Sequence, residues 1–295
     1  MINQRHPPRI WRLCCLLLCL ASCATNPETG RSQFIVLRED REISLGEQAA
    51  PKFLEDYGGP INSQSIRDYV RIIGLRLARL SSRPLLPWQI EAVDSATINA
   101  FALPGGKVFV TRGLLAKLRN EAQLAGVLGH EIAHVTARHV NDHMAQKMGL
   151  QIVLAGINLA SRQSNEQWLG VLGTGTEVGG SLFILKFSRE DELEADDLGL
   201  RYMTKLGYNP MAQIQVMQIL NEQRASTAQT MAFLSTHPLP KQRVDNLKQL
   251  IQRNYPDHES STKYGFYELR YVESVLETMA SLGPPKHTTP KTPPK

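Results

Sequence analysis

One pentapeptide constrains the fold of this chain more than any other feature: His130-Glu131-Ile132-Ala133-His134, which matches the H-E-x-x-H pattern. Two histidines four positions apart lie on one face of an α-helix, so both imidazoles can bind one metal ion. Zinc accepts such a pair of nitrogen ligands readily. Glu131 lies on the neighbouring flank, where a carboxylate can act as a general base. The sequence therefore predicts a catalytic zinc site built on a helix.

The residues around the pentapeptide predict that this helix is long. Asn120 is a candidate N-cap, and apolar residues recur at helical spacing after it. We expect one helix from about Glu121 to Gln146. His139 and His143 would lie on the same helix, but five and nine positions after His134 they leave the ligand face. Hydrogen-bonded or exposed roles are expected for both.

A catalytic zinc needs a third protein ligand, and candidates occur in the acidic segment from residue 188 to residue 196. Spacing alone leaves Glu190, Glu192 and Glu194 as comparable candidates. Glu192 and Asp196 share a helix face, so one can bind the metal while the other supports a ligand histidine. The alternative pair, Glu190 with Glu194, lacks that aspartate.

The rest of the chain is predicted to be mostly α with a small β-sheet, an α+β fold with the H-E-x-x-H motif on a central helix. Helices are predicted at residues 39–56, 63–80, 188–206, 241–253 and 267–281, after Thr111 and from Pro210. Strands are predicted at residues 88–93, 98–103 and 107–110. The last two are joined by a hairpin signal, Pro104-Gly105-Gly106. The sequence leaves three alternatives for residues 148–187: a mobile lid, a helical hairpin and an element that touches the membrane.

The N-terminus has the layout of a bacterial lipoprotein signal. Three basic residues precede a short apolar run: Arg5, Arg9 and Arg12. The run ends in Leu20-Ala21-Ser22-Cys23, which resembles a lipobox. We expect residues 1–22 to be removed and Cys23 to carry the lipid; an uncleaved membrane anchor is the alternative. Ala24, after the cysteine, favours the periplasmic face of the outer membrane in the bacterial cell envelope.

The mature chain is expected to have three parts. Residues 23–37 are predicted to be a lipidated tether, residues 38–282 a metallopeptidase domain and residues 283–295 a disordered tail rich in Pro, Lys and Thr. The net charge is +5, and removal of the three N-terminal arginines leaves +2, so a nucleic-acid partner gains no support. All four cysteines lie at or before position 23, which excludes thiol catalysis and cysteine-ligated zinc in the mature chain.

Four motifs together resemble a known family. They are Asn99-Ala100-Phe101 before the hairpin, the pentapeptide at His130, the pair of Glu192 and Asp196, and Ser235-Thr236-His237-Pro238. In this order, over about residues 31–250, they resemble family forty-eight of the metallopeptidases. The sequence is most similar to the compact lipoprotein branch. We expect neither the four membrane-spanning helices of one branch nor the long C-terminal repeat domain of another.

The resemblance implies a zincin-like domain with one Zn²⁺ ion per chain. The family pattern E-x-x-x-D falls on Glu192 and Asp196, which makes Glu192 the third ligand beside His130 and His134. Asp196 would then support a ligand histidine from outside the metal's own ligand set. The strand that carries Asn99, Ala100 and Phe101 would bind substrate as an added β-strand, which recognises backbone more than side chains.

Two further residues have open roles. In the family, the loop that carries His237 approaches the metal cleft. His237 could therefore contact substrate, stabilise the oxyanion or occupy the fourth zinc position; a buried turn histidine is the simpler alternative. Arg243, six residues on, could pair with a carboxylate of the site or be a surface arginine.

The implied function is a membrane-anchored zinc metalloendopeptidase that hydrolyses misfolded or unassembled envelope proteins. Its partners would be unfolded polypeptides, the membrane through the lipid anchor and the outer-membrane assembly machinery, with no nucleic acid. The alternative is a zinc-containing, chaperone-like or scaffold lipoprotein with a closed, latent site. Glu131 separates the two, because a structural zinc site does not need a general base.

Overall fold

The computed structural model describes residues 23–160, 186–223, 231–238 and 241–287. Within these ranges the chain is mostly helical with two small sheets, which confirms the predicted fold class. The strands are β1 (Cys23–Thr25), β2 (Ser32–Phe34), β3 (Gln89–Val93), β4 (Ala100–Leu103) and β5 (Lys107–Thr111). The first five helices are α1 (Glu39–Asp56), α2 (Gln64–Ala78), α3 (Arg112–Leu115), α4 (Glu121–Thr136) and α5 (His139–Ala160).

The remaining helices follow the acidic segment. They are α6 (Arg189–Lys205), α7 (Met211–Gln223), α8 (Met231–Thr236), α9 (Lys241–Asn254), α10 (Glu268–Tyr271) and α11 (Glu277–Ala280), the last two joined by a π-helical turn, Val272–Leu276. The helices predicted at residues 39–56, 63–80, 188–206 and 241–253 are confirmed to within two residues at either end. No helix in the described ranges has the length and apolar character needed to cross a bilayer.

The three-stranded sheet has the strand order β3-β5-β4, so β4 is an edge strand within the described residues. β3 runs parallel to β5, and β4 runs antiparallel to β5 with Leu103 opposite Lys107. The predicted hairpin at residues 104–106 is therefore confirmed. Gly105 and Gly106 have φ of 71° and 88°, a region that glycine enters without strain.

Helix α4 lies at the centre of the fold, as the sequence predicted. All 16 of its residues are buried, and it packs against α2, the sheet, α6 and α7. The Asn120 side chain caps its N-terminus by accepting from the backbone N–H of Gln123 at 2.9 Å. Every polar side chain on this helix therefore meets protein rather than water, so each needs an internal partner or a function.

The prediction of one helix from Glu121 to Gln146 is wrong, because the helix breaks after Thr136. Arg138 adopts φ of 61°, a left-handed conformation that costs a non-glycine residue about 1–3 kcal/mol. Its guanidinium offsets this cost by binding Glu42, with Nε 2.9 Å from Oε1. Glu42 is itself buried and also contacts Arg83. The break thus depends on distant residues and has no glycine or proline to mark it in the sequence.

The segment expected to be a tether is folded against the domain. β1 and β2 form an antiparallel hairpin in which Cys23 lies opposite Phe34. Between and within these strands, the buried side chains of Asn26 and Gln33 donate to the carbonyls of Thr136 and Ala137 at 3.1 and 2.6 Å. These carbonyls end α4 and have no partner within the helix. The hairpin therefore completes the helix that carries the H-E-x-x-H motif.

Part of the segment expected to be a disordered tail contacts the domain. His287 accepts a hydrogen bond from the backbone N–H of Ala96 at 2.8 Å through its carbonyl, so residues 283–287 contact the domain. Residues 288–295 lie outside the described residues. Of the segment left unassigned, residues 148–160 belong to α5, and residues 161–185 lie outside the described residues.

Candidate metal centre

Three elements bring four buried side chains together: His130 and His134 from α4, Glu192 from α6 and His237 from the end of α8. The Nε2 atoms of the α4 histidines are 3.1 Å apart. Glu192 Oε2 lies 3.5 Å from His130 Nε2, and Glu192 Oε1 lies 3.5 Å from His134 Nε2. A tetrahedral zinc site with bonds of about 2.1 Å separates its ligand atoms by about 3.4 Å. The three side chains therefore fit a zinc ion.

Two glycines allow α6 to approach α4 closely enough for this arrangement. A Cβ atom on Gly199 would lie 2.8 Å from the backbone nitrogen of His130, and one on Gly129 would lie 3.1 Å from the carbonyl oxygen of Gly199. Real Cβ atoms do not approach to 2.8 Å, so the helices are nearly in backbone contact here. This approach brings the first turns of α6, with Glu192, to the ligand face of α4.

A buried ion pair supports His130. Asp196 Oδ1 lies 3.0 Å from His130 Nδ1, and Arg243 binds both carboxylate oxygens of Asp196 at 2.7 Å. Burial alone would raise the pKa of Asp196, but the Arg243 guanidinium outweighs it and holds that pKa below its usual value. Arg243 also contacts Glu192. The sequence left two alternatives for Arg243, pairing with a carboxylate of the site or a place on the surface. In the structure Arg243 is buried against carboxylates of the site.

Glu192 remains a carboxylate in this setting. Burial raises its pKa, but His237 and Arg243 together lower it well below its usual value. Glu190, one of the alternative ligands, is exposed on the first turn of α6 and lies outside the cluster. Glu194, the other alternative, points elsewhere and bonds His139. The geometry thus brings together the ligand set implied by the family resemblance.

Glu131 is buried beside the cluster, and neither of its carboxylate oxygens has a hydrogen-bond partner among the described residues. Burial raises the pKa of this carboxyl group above its usual value. The nearest cationic candidate is His237, whose Nε2 lies 3.7 Å from Glu131 Oε1. Because an unpartnered buried carboxylate destabilises a fold, its presence points to a chemical role.

His237 closes the cluster from the side of α8. Its Nδ1 lies 2.9 Å from Glu192 Oε1. Two hydrogen bonds to backbone carbonyls hold the residues around it: the Phe187 N–H donates to the Thr236 carbonyl at 3.2 Å, and Arg243 Nη1 donates to the Pro238 carbonyl at 3.0 Å. The structure thus places His237, buried, beside the three other side chains of the cluster.

Small cavities flank the cluster on two sides. One lies beside His130 and Glu131, and its wall is largely apolar, including Val127, Val216, Met217, Leu220 and Phe233. The other lies between His134 and the hairpin that begins in β4, and Ala102 and Leu103 line it. The edge strand β4 and the ligand His134 therefore line the same small cavity.

The side chains of the predicted substrate strand face the domain itself. Asn99 lies just before β4, is buried and donates to the Tyr57 hydroxyl at 3.2 Å. Ala100 is fully buried, and the Phe101 ring packs against Phe53 with a centroid distance of 5.0 Å. Any recognition of substrate by these three residues would therefore use the backbone of β4 and not their side chains.

Two contacts of the His134 side chain could not be predicted from any motif in the sequence. The Phe187 ring stacks on the His134 imidazole with a centroid distance of 3.9 Å and an interplanar angle of 22°. His139, expected to be hydrogen-bonded or exposed, is buried with its Nδ1 only 2.7 Å from His134 Nδ1. Only knowledge of the break at Arg138 would have placed His139 there.

Comparison with known families and proteins agrees with this geometry. The family model of peptidase family M48 matches residues 65–251. The beta-barrel assembly-enhancing proteases of Yersinia pestis and Escherichia coli are 29% and 28% identical, over 83% and 80% of this chain. The mitochondrial metalloendopeptidase OMA1 of Schizosaccharomyces pombe is 29% identical over 81% of it. The chain covers 51% and 49% of the two bacterial relatives, about half their length, and 69% of the yeast relative.

Proposed function

The chain belongs to peptidase family M48, a class of zinc metallopeptidases, and on that premise we propose that it is a zinc metalloendopeptidase. One observation carries the proposal: three buried ligands, His130, His134 and Glu192, stand at tetrahedral spacing beside the unpartnered carboxylate of Glu131. A structural zinc site has no use for that carboxylate, whereas peptide hydrolysis needs a group that moves a proton.

The proposed mechanism assigns one task to each of these groups. Zinc, held by His130, His134 and Glu192, would supply Lewis acidity toward the scissile carbonyl and the attacking water. Glu131 takes the proton from that water and returns it to the leaving amine. Asp196, whose Oδ1 lies 3.0 Å from His130 Nδ1, would hold the His130 imidazole in one orientation.

We propose that the substrates are unfolded or misassembled polypeptides of the bacterial envelope. The edge strand β4 borders His134 and offers backbone groups, which an extended chain of any sequence can pair with. Two relatives carry the name beta-barrel assembly-enhancing protease. By that similarity, the outer-membrane assembly machinery is the proposed partner.

Metal removal provides the test of this function. The purified full chain should bind about one zinc ion and should cleave casein at internal peptide bonds. Chelation should abolish hydrolysis, and one equivalent of zinc should restore it, because all three ligands serve one ion. Hydrolysis that persists after complete metal removal would refute the proposal. Zinc-loaded protein that binds unfolded casein without cutting it would favour the chaperone-like alternative.

A gating role is proposed for His237. The proposal rests on the contact of its imidazole with Glu192 and on the two hydrogen bonds to backbone carbonyls around it. On this proposal, substrate displaces His237 before it reaches the metal. We expect His237→Ala to raise the basal rate of casein hydrolysis. A role in oxyanion stabilisation predicts the opposite sign, a loss of roughly 10²-fold or more in turnover. His258→Ala, on a loop away from the cluster, is the matched control; an unchanged rate for His237→Ala would contradict both roles.

We also propose that Cys23 anchors the protein to the membrane through lipid. Cys23→Ser should abolish incorporation of radiolabelled palmitate and release the protein from the membrane fraction, or leave its signal uncleaved. Serine fits the first position of β1, so zinc content should stay unchanged and serves as the control for folding. Equal palmitate labelling of wild type and variant would refute the lipobox.

A further inference from the structure

Because the helix breaks at Arg138, the His139 side chain lies next to His134, one of the proposed metal ligands. On an unbroken helix, five positions correspond to an angular offset of about 140°, which would carry His139 away from the ligand face. Instead the two Nδ1 atoms lie 2.7 Å apart, and the His139 side chain is fully buried. Arg138, the left-handed residue before His139, is held by Glu42 and thereby brings His139 to the metal centre.

The protons on these two rings follow from their contacts. His134 directs Nε2 at the cluster, 3.1 Å from His130 Nε2 and 3.5 Å from Glu192 Oε1. When Nε2 binds metal, the proton of the neutral imidazole must be on Nδ1. His139 then accepts through its own Nδ1, so its proton is on Nε2. That N–H donates to Glu194 Oε2 at 3.0 Å. One tautomer of His139 satisfies both bonds.

The charged groups around His139 leave Glu194 as its partner. Asp191 Oδ1 lies 3.7 Å from His139 Nε2, beyond hydrogen-bond distance, whereas Glu194 Oε2 lies at 3.0 Å. The other Asp191 oxygen, Oδ2, accepts from the Ser188 backbone and pairs with His143, both at 2.9 Å. Glu194 is held in turn by Arg31, whose Nη2 lies 3.3 Å from Oε2. Arg31 comes from the N-terminal hairpin, so the chain of contacts runs from that hairpin to the metal ligand.

We propose that His139 and Glu194 are positioning residues for the zinc ligand His134, matching the support that Asp196 gives His130. The inference rests on the proposed zinc site but not on peptide hydrolysis. By fixing the Nδ1–H tautomer and the ring orientation, the pair makes the Nε2 lone pair available to the metal. Removal of such a support typically lowers metal affinity by about 10–100-fold.

Variants of His139 separate positioning from mere packing. In His139→Asn, the Oδ1 atom stands near the place of the imidazole Nδ1 and can accept from His134. His139→Leu fills the space but accepts nothing. We expect His139→Leu to weaken zinc binding by about 10–100-fold in chelator competition, and His139→Asn to recover most of the loss. His258→Leu, on a loop away from the cluster, is the control with unchanged affinity.

A spectroscopic signature tests the same point independently of affinity. In the cobalt-substituted full chain, His139→Leu should alter the visible absorption of the metal, because ligand orientation changes, and His139→Asn should restore it. Glu194→Leu should weaken zinc binding in the same direction, whereas Glu194→Gln, which keeps an acceptor for the imidazole N–H, should lose less. The Glu194 variants carry the test if His139→Leu fails to fold, because Glu194 is partly exposed.

Wild-type affinity and an unchanged cobalt spectrum in His139→Leu would overturn the inference. So would equal loss of affinity in His139→Leu and His139→Asn, which would indicate packing alone. Neither outcome touches the proposed function, which fails instead if the wild-type chain binds no zinc or binds it without hydrolysing casein.

Discussion

Replacement of Glu131 by glutamine is expected to lower the turnover number for peptide hydrolysis by about 10²–10⁴-fold, the range that general acid–base catalysis contributes. Glutamine has the shape of glutamate but cannot take a proton from water. Neither oxygen of Glu131 has a hydrogen-bond partner in the described part of the chain, so the substitution breaks no bond there. It also removes a buried charge, and we therefore expect equal or greater stability toward unfolding.

The measurement is casein hydrolysis by zinc-loaded wild type and variant, with zinc content determined on the same samples. Glu190→Gln is the matched control, because the same chemical change is made on an exposed residue of α6. Zinc near one per chain together with the large loss of turnover would assign proton transfer to Glu131. Activity within a few-fold of wild type would remove Glu131 from the mechanism.

Loss of Arg243 is expected to have the largest effect on stability. Its side chain is buried, binds Asp196 with two bonds of 2.7 Å and contacts Glu192. Arg243→Ala leaves two carboxylates buried without their counter-charge, and removing one partner of a buried ion pair typically costs about 3–5 kcal/mol. We expect a decrease of that size in the free energy of unfolding, already in metal-free protein.

Chemical denaturation of the metal-free variants measures this effect without a contribution from zinc. Arg201→Ala is the control, because Arg201 and Asp197 form an exposed ion pair on the same helix, worth about 1 kcal/mol or less. Adding Asp196→Asn to Arg243→Ala should recover part of the lost stability, since it neutralises one of the stranded charges. A decrease for Arg243→Ala no larger than that of the control would contradict the ion-pair argument.

The sequence allowed prediction of the parts of the site that depend on local spacing. His130 and His134 share a helix face wherever that helix lies, and Glu192 shares one with Asp196. Spacing alone does not show how α6 packs against α4. The family resemblance was therefore needed to choose Glu192 over Glu194 as the third metal ligand. Their relative position depends on the close approach at Gly199, which is a property of packing and not of either helix.

The helix break and the N-terminal hairpin could not be predicted for a related reason. Arg138 takes its left-handed conformation because Glu42, far away in sequence, binds it, and no local pattern records that contact. Asn26 and Gln33 lie in the segment predicted to be a tether, yet their side chains are buried as caps of the C-terminal end of α4. Long-range hydrogen bonds decided both features, whereas periodicity reports only local preference.

If Cys23 carries lipid as proposed, the N-terminal hairpin would also fix the distance between the metal centre and the membrane. Only Ala24 and Thr25 separate Cys23 from Asn26, which is bonded to the end of the catalytic helix. With lipid on Cys23, the active site would stand at a nearly constant height above the bilayer, without a swinging linker. Only polypeptide segments that pass at that height could be cut. Distance from the membrane would then select among substrates that backbone pairing alone does not distinguish.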